Sequence, residues 1–439
     1  MRLAVVGGGW AGLAAAVEAT ARGHAVTLFE MAPQLGGRAR RVESDGLSLD
    51  NGQHILIGAY ATTLRLMAQV GVDAGRLLWR TPLRLAFPDG GILELPPGAP
   101  GFAFTRGVLA RAGWRWSDRF ALLRMAAGWA LRGFRCADRL TVAQLTAGLP
   151  TRVRDDLVDP LCVAALNTPA ALASANVFLR VLRDALFAGP GSADLLLPRV
   201  DLSALWPDAA CAWLIEAGAE LQSSHRVEQL QAREGGWLVD AEIFDAVVLA
   251  ASAVEAARLA LPIAPAWAAC AGALRHEPIT TVILRSKGSR LPQPMLALHA
   301  NAAAPAQFAF DLGQLRGIDG AIAFVISGAS AWVALGTPET ERATLAQARA
   351  TLGASLGEPL TVLRTITEKR ATFLCTPGLE RPATRIAEGL FAAGDYVAGP
   401  YPATIEGAVR SGVAAVRALE TGKSTPPAHA GSTTAVHIP

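Results

Sequence analysis

The sequence lacks several features that would place the protein in other classes. No stretch of about 20 residues is continuously apolar, so no membrane-spanning helix is predicted. The first twenty residues are apolar, but glycines interrupt them and no polar cleavage region follows, which argues against a secretion signal. The net charge is only +3, without zinc-finger or RNP-like spacing, which argues against nucleic acid as a partner.

Cysteine is scarce and scattered. The five cysteines are odd in number and form no CxxC pair; they are Cys136, Cys162, Cys211, Cys270 and Cys375. This spacing argues against a disulfide framework, and the seven histidines lack the spacing of metal ligands. We therefore expect a cytoplasmic protein that binds no metal.

The front of the chain has the pattern of a nucleotide-binding unit. LAVVG reads as a buried strand, AGLAAAVEATARG as a helix and AVTLFE as a second strand that ends at Glu30. Gly7, Gly9 and Gly12 form a GxGxxG between the first strand and the helix. Such glycines allow a tight turn and close approach to a pyrophosphate, and the acid holds ribose hydroxyls. A glycine-rich turn without a ligand would leave the position of Glu30 unexplained.

The segment after Glu30 distinguishes between FAD and NAD as the cofactor. Leu35 is followed by Gly36, Gly37 and Arg38, which resembles the GG motif of the amine oxidase and phytoene desaturase superfamily of FAD enzymes. Glycines permit close backbone approach and a guanidinium neutralises phosphate, so this resemblance implies contact with FAD. For Arg38, and equally for Arg40 and Arg41, a solvated basic turn is the alternative.

The back of the chain resembles the C-terminal FAD motif of the same superfamily. GLFAAGDYVAGPYPATIEGAVRSG reads as a strand, a loop and a helix that begins near Thr404. The resemblance places Gly394 and Asp395 at the ribityl-phosphate region and the helix N-terminus at the flavin, where it would stabilise the reduced anion. Glu406 in this helix is interpreted as structural rather than catalytic. Amine oxidases tend to have an aromatic residue at the position of Thr404, and many have a lysine where this chain has Thr280 and Thr281.

The resemblance implies an α/β fold with two domains. A Rossmann-like FAD-binding domain is predicted from 1–84, 201–274 and 361–421, with a strand near Val227 passing the adenine and a hairpin at Gly235 and Gly236. An α+β substrate domain with a helical insert is predicted from 85–200 and 275–360. The Pro/Ser/Thr-rich tail, 422–439, is predicted to be disordered.

No cysteine lies where covalent flavin attachment would be expected, so FAD is predicted to bind non-covalently. The residues expected to contact it are Gly7, Gly9, Ala11, Gly12, Glu30, Met31, Gly36, Gly37, Arg38, Gly52, Gln53, His54, Val227, Gly394, Asp395, Thr404, Ile405 and Glu406.

The stretch 107–140 combines basic and aromatic residues. Together with Arg106 it carries eight arginines against Asp118 and Asp138, and tryptophan and phenylalanine are interleaved with them. A mean hydropathy of +0.32 also fits an apolar ligand, a membrane-facing surface or a large alanine-rich core. A basic amphipathic helix pair with tryptophans is typical of an interfacial membrane anchor. An ordinary helical layer with solvated arginines is the alternative.

Longer blocks narrow the resemblance. NGQHILIGAY, LNTP, LPRVDL and GPYPATIEGA are similar to the hydroxysqualene dehydroxylases of hopanoid-making bacteria, and the similarity extends from residue 1 to about 420. It implies reductive removal of an allylic hydroxyl from a C30 isoprenoid, yielding squalene, water and oxidised FAD. Contact with the inner face of the cytoplasmic membrane is a further expectation. No second GxGxxG is evident, so a separate reductase is expected to supply electrons.

In this superfamily the segment after the GG motif runs along the flavin. Asp50, His54, Tyr60 and Tyr401 are therefore candidates to donate a proton or to orient the substrate hydroxyl. Alternatively, Asp50 and Gln53 satisfy hydrogen bonds of the flavin or the backbone. Two other functions remain open at this point, a carotenoid-type desaturase and a non-catalytic lipid- or flavin-binding partner.

Overall fold

A computed structural model describes residues 1–44 and 46–421, and the predicted disordered tail lies outside the described residues. Packing divides the chain into two compact units, each assembled from separate stretches. Unit 1 consists of Met1–Leu35, Cys211–Leu274 and the part from Glu380 onward. Unit 2 consists of Gly36–Ala210 and Arg275–Leu379.

The strands follow one another along the chain in both units. In chain order they are β1 (Arg2–Val6), β2 (Ala25–Glu30), β3 (Arg41–Ser44), β4 (Leu47–Asp50), β5 (Leu56–Ile57), β6 (Leu78–Thr81), β7 (Arg84–Ala86), β8 (Ile92–Glu94), β9 (Leu195–Pro198), β10 (Glu220–Ser223), β11 (Leu230–Arg233), β12 (Gly236–Val239), β13 (Glu242–Phe244), β14 (Ala246–Leu249), β15 (His276–Arg285), β16 (Met295–Ala297), β17 (Phe308–Asp311), β18 (Ala321–Ile326), β19 (Thr361–Phe373), β20 (Arg385–Ala387) and β21 (Leu390–Ala392).

The helices are concentrated between β8 and β9 and at the two ends of unit 1. In chain order they are α1 (Trp10–Ala21), α2 (Ala61–Gln69), α3 (Ala74–Leu77), α4 (Pro100–Ala110), α5 (Trp116–Leu131), α6 (Val142–Leu145), α7 (Thr151–Val153), α8 (Asp159–Leu166), α9 (Ala175–Leu186), α10 (Leu202–Leu205), α11 (Pro207–Glu216), α12 (Ala253–Ala260), α13 (Pro265–Gly272), α14 (Leu312–Arg316), α15 (Ser330–Leu335), α16 (Thr337–Leu352) and α17 (Ile405–Thr421). None of the helices in the described part of the chain is long and apolar enough to cross a membrane.

Unit 1 is built on a six-stranded sheet in the order β10-β2-β1-β14-β21-β20. All neighbouring strands are parallel except β20 and β21, which are antiparallel. The central strands β1, β2 and β14 are almost entirely buried, as their continuous apolar runs require in a parallel sheet. The predicted strand, helix and second strand at the front of the chain are all present.

A three-stranded antiparallel sheet, β11-β12-β13, follows β10 in unit 1. The predicted hairpin at Gly235 and Gly236 is present between β11 and β12. The strand predicted around Val227 is wrong in position, because Ser224 turns the chain in the left-handed region with φ 57°. The Asp240 carboxylate then accepts hydrogen bonds from the N–H groups of Glu228 and Gln229, which removes both from any ladder. Pairing therefore begins only at β11.

Unit 2 contains a five-stranded antiparallel sheet in the order β16-β17-β18-β15-β19. The ITTVIL and AIAFVI segments lie in its strands β15 and β18, as predicted. The core on this sheet is formed by Val282, Phe324 and Ile326 together with Ala348 of α16. The remaining parts of the unit include the sheet β5-β9-β6, two hairpins and helices α4 to α9.

The boundaries of these units differ from the predicted domain boundaries. The stretches 36–84, 201–210 and 361–379 lie in unit 2, whereas all three were predicted to belong to the FAD-binding domain. Strand β19 shows the physical reason, since it pairs with β15 along most of its length. The unit in which a stretch packs does not determine whether it contacts a cofactor. The assignment of these stretches to FAD binding therefore stays a prediction.

Candidate active site

The glycine turn of unit 1 leaves no room for side chains. Gly7 has φ +112°, and a Cβ added there would lie 2.6 Å from the carbonyl oxygen of Ala250. A Cβ added at Gly12 would lie 1.8 Å from the carbonyl oxygen of Gly7. Gly9 precedes α1 and supplies no side-chain cap, and first-turn N–H groups cannot be paired within a helix. These are the features that a pyrophosphate requires of a helix N-terminus.

Glu30 ends β2 and is buried, and both carboxylate oxygens accept backbone hydrogen bonds. The N–H of Gly8 donates to one oxygen at 2.7 Å and that of Ala32 to the other at 2.8 Å. The acid therefore holds the glycine turn in place. A carboxylate has about four acceptor positions, so ribose hydroxyls can still donate to it. The neighbouring Met31 is exposed, whereas Val227 is buried and its carbonyl accepts from Arg258 at 2.7 Å.

Strand order brings the two predicted FAD motifs of unit 1 to the same sheet edge. Strands β1, β2, β14 and β21 run parallel, so the residues that follow them share the carboxyl edge. Gly394 follows β21 closely, and its N–H donates to the Ser411 hydroxyl at 2.7 Å. A Cβ at Gly394 would lie 2.4 Å from the Tyr396 ring, and Asp395 is buried beside it. Ligands of parallel α/β sheets bind at this edge.

Helix α17 begins at the same motif and is capped by Thr404. The Thr404 hydroxyl accepts a hydrogen bond from the N–H of Gly407 at 2.9 Å and donates to the carbonyl of Tyr401 at 2.9 Å. A threonine in this position is thus explained by helix capping. Ile405 is the first helical residue, and a Cβ at Gly407 would lie 1.8 Å from the Tyr401 carbonyl oxygen. The chain is therefore folded tightly over the half-buried Tyr401.

Glu406 and Arg410 form the next turn of α17. Glu406 is fully buried, and its carboxylate lies 3.9 Å from the Arg410 guanidinium. The same guanidinium lies 5.0 Å from the centre of the Tyr401 ring. These contacts favour a structural role for Glu406. Helix α17 also packs closely on α1, since a Cβ at Gly412 would lie 2.2 Å from the Ala11 carbonyl oxygen.

The second predicted group of FAD contacts lies in unit 2. Gly36 and Gly37 both have positive φ, 109° and 61°, which favours glycine. The Arg38 guanidinium donates to the carbonyls of Arg370 and Ala371, so part of it is used by the backbone that includes β19. The Asn51 amide joins the same region, because it donates to the Arg38 carbonyl and to Glu368, each at 3.1 Å.

The two arginines after Arg38 have internal partners. Arg40 donates to the Gly37 carbonyl at 2.6 Å and thereby closes the turn. Arg41 pairs with Asp201 at 3.2 Å and with Asp208 at 3.1 Å. Neither arginine is simply solvated, and both stabilise the local fold.

Asp50 is a buried part of the unit 2 framework. One carboxylate oxygen accepts the N–H of Leu202 at 2.8 Å, and the other pairs with Arg316 at 2.7 Å. Burial raises the pKa of Asp50 to about 6, although the Arg316 cation and the Leu202 hydrogen bond oppose this rise. These partners favour the predicted alternative in which Asp50 satisfies backbone and structural contacts.

His54 is half-buried and has a defined orientation. Its Nδ1 lies 3.0 Å from the Gly52 carbonyl oxygen, which can only accept, so Nδ1 carries the hydrogen. Burial lowers the pKa of His54, and the cation of Arg38 acts in the same direction against the Gly52 hydrogen bond. A neutral ring of this tautomer presents Nε2 as a hydrogen-bond acceptor. Gln53 beside it and Tyr60, which precedes α2, are also half-buried.

The LNTP and LPRVDL blocks have structural roles that the sequence analysis did not assign. The Asn167 amide donates to the Glu277 carbonyl and to Thr372 at 3.0 Å, and its oxygen accepts the N–H of Gly328. Asp201 caps α10 and binds Arg41. The LNTP and LPRVDL blocks could be recognised in the sequence. The residues that Asn167 and Asp201 bind could not, and neither could the pairing of Arg316 with Asp50.

Comparison with known proteins identifies the family to which the chain belongs. The model of the family described as flavin containing amine oxidoreductase matches residues 10–419. The chain belongs to this family. The predictions of the fold class, of an FAD-dependent oxidoreductase and of FAD as cofactor are thereby confirmed. The residues described above fit that cofactor, because the glycine turn before α1 and the loop that leads to α17 follow β1 and β21 at the carboxyl edge of the unit 1 sheet.

Relatives and solved structures extend the comparison. The chain is 27% identical to the hydroxysqualene dehydroxylase of Rhodopseudomonas palustris over 431 residues, covering 93% of this chain and 96% of that protein. The corresponding enzyme of Zymomonas mobilis is 26% identical with the same coverage. A zeta-carotene desaturase of Zea mays is 35% identical over 105 residues, covering 23% of this chain and 18% of the relative.

Similarity to solved structures supports the same fold. An oxidoreductase from Methanosarcina mazei superimposes with a TM-score of 0.73 at 16% identity, covering 95% of this chain and all of that one. Cyclohexylamine oxidase from Brevibacterium oxydans gives 0.72 at 15% identity, covering 96% and 99%. At such identities the likeness concerns the fold alone.

Proposed function

We propose that this flavoenzyme is a hydroxysqualene dehydroxylase that converts hydroxysqualene to squalene. The observation that carries the proposal is the extent of similarity. The relatives of that name align over 93% of this chain and nearly their whole length, whereas the carotene desaturase of Zea mays aligns over 23%. The shared stretch therefore includes the substrate-domain blocks LNTP and LPRVDL, which lie outside the nucleotide-binding motifs.

The reaction replaces an allylic C–O bond with a C–H bond. Reduced FAD supplies the hydride and is oxidised, while the hydroxyl oxygen leaves as water after taking up one proton. Hydroxide is a poor leaving group, so a proton donor close to that oxygen is required. Apolar surroundings protect the developing allylic cation from water.

His54 fits the role of orienting the substrate hydroxyl. Its Nδ1 is committed to the Gly52 carbonyl, and its lowered pKa keeps the ring neutral, so Nε2 can accept the hydroxyl hydrogen. The same state makes the ring a weak proton donor. Tyr60 and Tyr401 are the remaining candidates for that step, because a phenol keeps its proton at neutral pH. Asp50, tied to Arg316 and Leu202, is assigned to the framework rather than to proton transfer.

FAD binding is proposed for the predicted residues of each unit. In unit 1 the turn at Gly7, Glu30 and the start of α17 would hold the cofactor through backbone N–H groups and a carboxylate. In unit 2 the turn at Gly36 and the segment at Gly52 are the proposed contacts, and both glycines have the positive φ that residues with side chains rarely adopt. Contact by Met31 and by Val227 stays a prediction.

The decisive experiment is anaerobic. The full-length protein is loaded with FAD, reduced, and mixed with hydroxysqualene while flavin absorbance is followed and lipids are analysed by mass spectrometry. We expect flavin reoxidation with one squalene formed per flavin. If reduced flavin is inert to hydroxysqualene while the oxidised enzyme is bleached by squalene or a carotene precursor, the protein is a desaturase instead. Binding of hydroxysqualene without any change of flavin redox state would identify a non-catalytic partner.

We further propose that a separate reductase supplies the electrons. The proposal is supported by the single GxGxxG evident in the sequence. Rapid mixing of the oxidised protein with NADH or NADPH should reduce the flavin far more slowly than turnover. Reduction by either nucleotide at the turnover rate would show that no separate reductase is needed.

A further inference from the structure

Helix α5 carries apolar residues on two opposite faces, whereas a simple surface helix carries them mainly on the face that packs. Leu122 and Trp129 are buried together with Asp118, and they are spaced so that they share one face. Trp116, Phe120 and Leu131 share the opposite face and are 62%, 61% and 89% exposed. The face that points away from the unit is therefore as apolar as the face that packs.

Helix α4 adds a further exposed aromatic side chain beside α5. It packs against α5 and carries Phe102, which is 62% exposed. Arginines lie over the exposed rings, since Arg106 is 5.7 Å from the Phe102 ring centre and Arg119 is 4.6 Å from that of Trp116. We call Phe102, Trp116, Phe120 and Leu131 with their neighbouring arginines the arginine–aromatic face.

The charge of this region is strongly one-sided. Two charged groups turn inward: Arg111 pairs with Asp156 at 3.3 Å, and Asp118 accepts the N–H of Arg115. The only exposed acidic residue in 100–140 is Asp138. The exposed arginines in the same stretch are Arg106, Arg115, Arg124, Arg132, Arg135 and Arg139.

The structure also separates the tryptophans that the sequence analysis grouped together. Trp114 is buried and donates to Asp156 at 2.8 Å, and Trp129 is buried in the packed face of α5. Both belong to the ordinary helical layer that was the alternative interpretation. Trp116 is the tryptophan of this helix pair that can reach another surface.

We propose that the arginine–aromatic face docks on the anionic headgroups of a lipid bilayer, with its aromatic side chains at the interface and its arginines on phosphates. Exposed aromatic and leucine side chains on a helix rich in arginine have the composition of interfacial helices, which lie on a membrane without spanning it. A second copy is a poorer occupant, because a two-fold interface would oppose the same arginines to one another.

The test uses the full-length, FAD-loaded protein and no substrate, so it is independent of the proposed reaction. Sedimentation is measured with phosphatidylcholine vesicles and with vesicles in which about one third of the lipid is phosphatidylglycerol. We expect binding to the anionic vesicles only, weakened by salt. The double variant W116S/F120S should lower the partition coefficient at least roughly tenfold. R124Q and R132Q should each lower it about fivefold.

Two matched controls lie on helices that pack on the five-stranded sheet of unit 2. Leu335→Ser removes an equally exposed apolar side chain from α15, and Arg342→Gln removes an exposed cation from α16. Both should bind vesicles like the original protein, and bound-FAD absorbance checks that every variant is folded. The proposal is overturned if W116S/F120S binds anionic vesicles as well as the controls do. It is also overturned if W116S/F120S instead converts an oligomer to a monomer while the original protein ignores vesicles.

Discussion

The glycine turn of unit 1 and the polar segment 50–54 of unit 2 were both predicted to contact FAD, but they are built on different principles. In the turn, Gly7 and Gly12 are required because backbone atoms occupy the space of a side chain, as at Gly12 beside the Gly7 carbonyl. In the polar segment, Asp50 and Asn51 already have protein partners, namely Arg316, Leu202 and Glu368.

This difference shows what a motif can reveal. The contact between Gly12 and the Gly7 carbonyl is local, so the spacing of these glycines alone indicates why a side chain is excluded there. A polar side chain has several uses, and its partner decides between them. In the polar segment, His54 is the residue with a proposed role toward substrate. Its Nδ1 is fixed by the Gly52 carbonyl, and its Nε2 can accept a hydrogen bond.

Gly12→Ala should have the largest effect, because its Cβ would lie 1.8 Å from the Gly7 carbonyl oxygen. We expect loss of FAD binding and a decrease of about 3 kcal/mol in the free energy of unfolding. The control is Gly272→Ala in α13, where the nearest atom would be 3.9 Å away. That change should stabilise by up to about 1 kcal/mol. FAD titration and chemical denaturation measure both, and normal FAD binding by Gly12→Ala would contradict the steric argument.

Arg316→Met should come next, because it leaves the buried Asp50 without its cation. We expect a decrease of about 3 kcal/mol in the free energy of unfolding at high pH. The pKa of Asp50 is already raised to about 6, so the folded state favours its protonated form, and the contribution of Asp50 to stability falls as pH rises from the unfolded value near 3.8 through 6. Without Arg316 the pKa rises further, and the loss should be smaller at pH 5 than at pH 8.

Denaturation of Arg316→Met at pH 5 and pH 8 therefore tests whether Asp50 belongs to the framework. Arg342→Met, at an exposed arginine, is the control and should leave stability unchanged at both values. An equal loss for Arg316→Met at both pH values would mean that the cation matters through packing and not through Asp50.

His54→Ala should reduce kcat/KM roughly tenfold when measured at saturating FAD, the effect of one lost hydrogen bond. His54→Gln should recover part of the loss. The control is His299→Ala, at an exposed histidine whose ring stacks on Phe87, and it should leave kcat/KM unchanged. Because the pKa of His54 is lowered, the rate of the original enzyme should not fall as pH rises through 6 to 8. A fall in that range that disappears in His54→Ala would show that protonated His54 is the acid. The same lowered pKa predicts that the contribution of His54 to stability decreases as pH falls below about 6.5, opposite in sign to the contribution of Asp50.

Thr404→Ala should have the smallest effect of the series. It removes the cap of α17 that accepts the Gly407 N–H, at a cost of about 1 kcal/mol. Thr404→Ser keeps the hydroxyl and should restore most of this stability. Thermal unfolding of the two variants compares them directly, and equal destabilisation by serine and alanine would assign the role to the methyl group.

Much of unit 1 could be predicted from the sequence because its signals are local. Apolar runs identified β1, β2 and β14, and glycine spacing identified the turn before α1. Unit boundaries could not be predicted in the same way. Strand β19 joins unit 2 through pairing with β15, a contact that no local pattern near residue 361 reveals. The family resemblance identified FAD as the cofactor, but it left the role of each polar residue open.

The sequence by itself determined the steric requirement at Gly12, since the carbonyl that its Cβ would meet belongs to Gly7, five residues earlier in the chain. Tertiary structure alone decided the state of Asp50, whose partner Arg316 is 266 residues away. It also decided which of Trp114, Trp116 and Trp129 is exposed. Burial and pairing are set by what packs against a residue, and that information is spread over the whole chain.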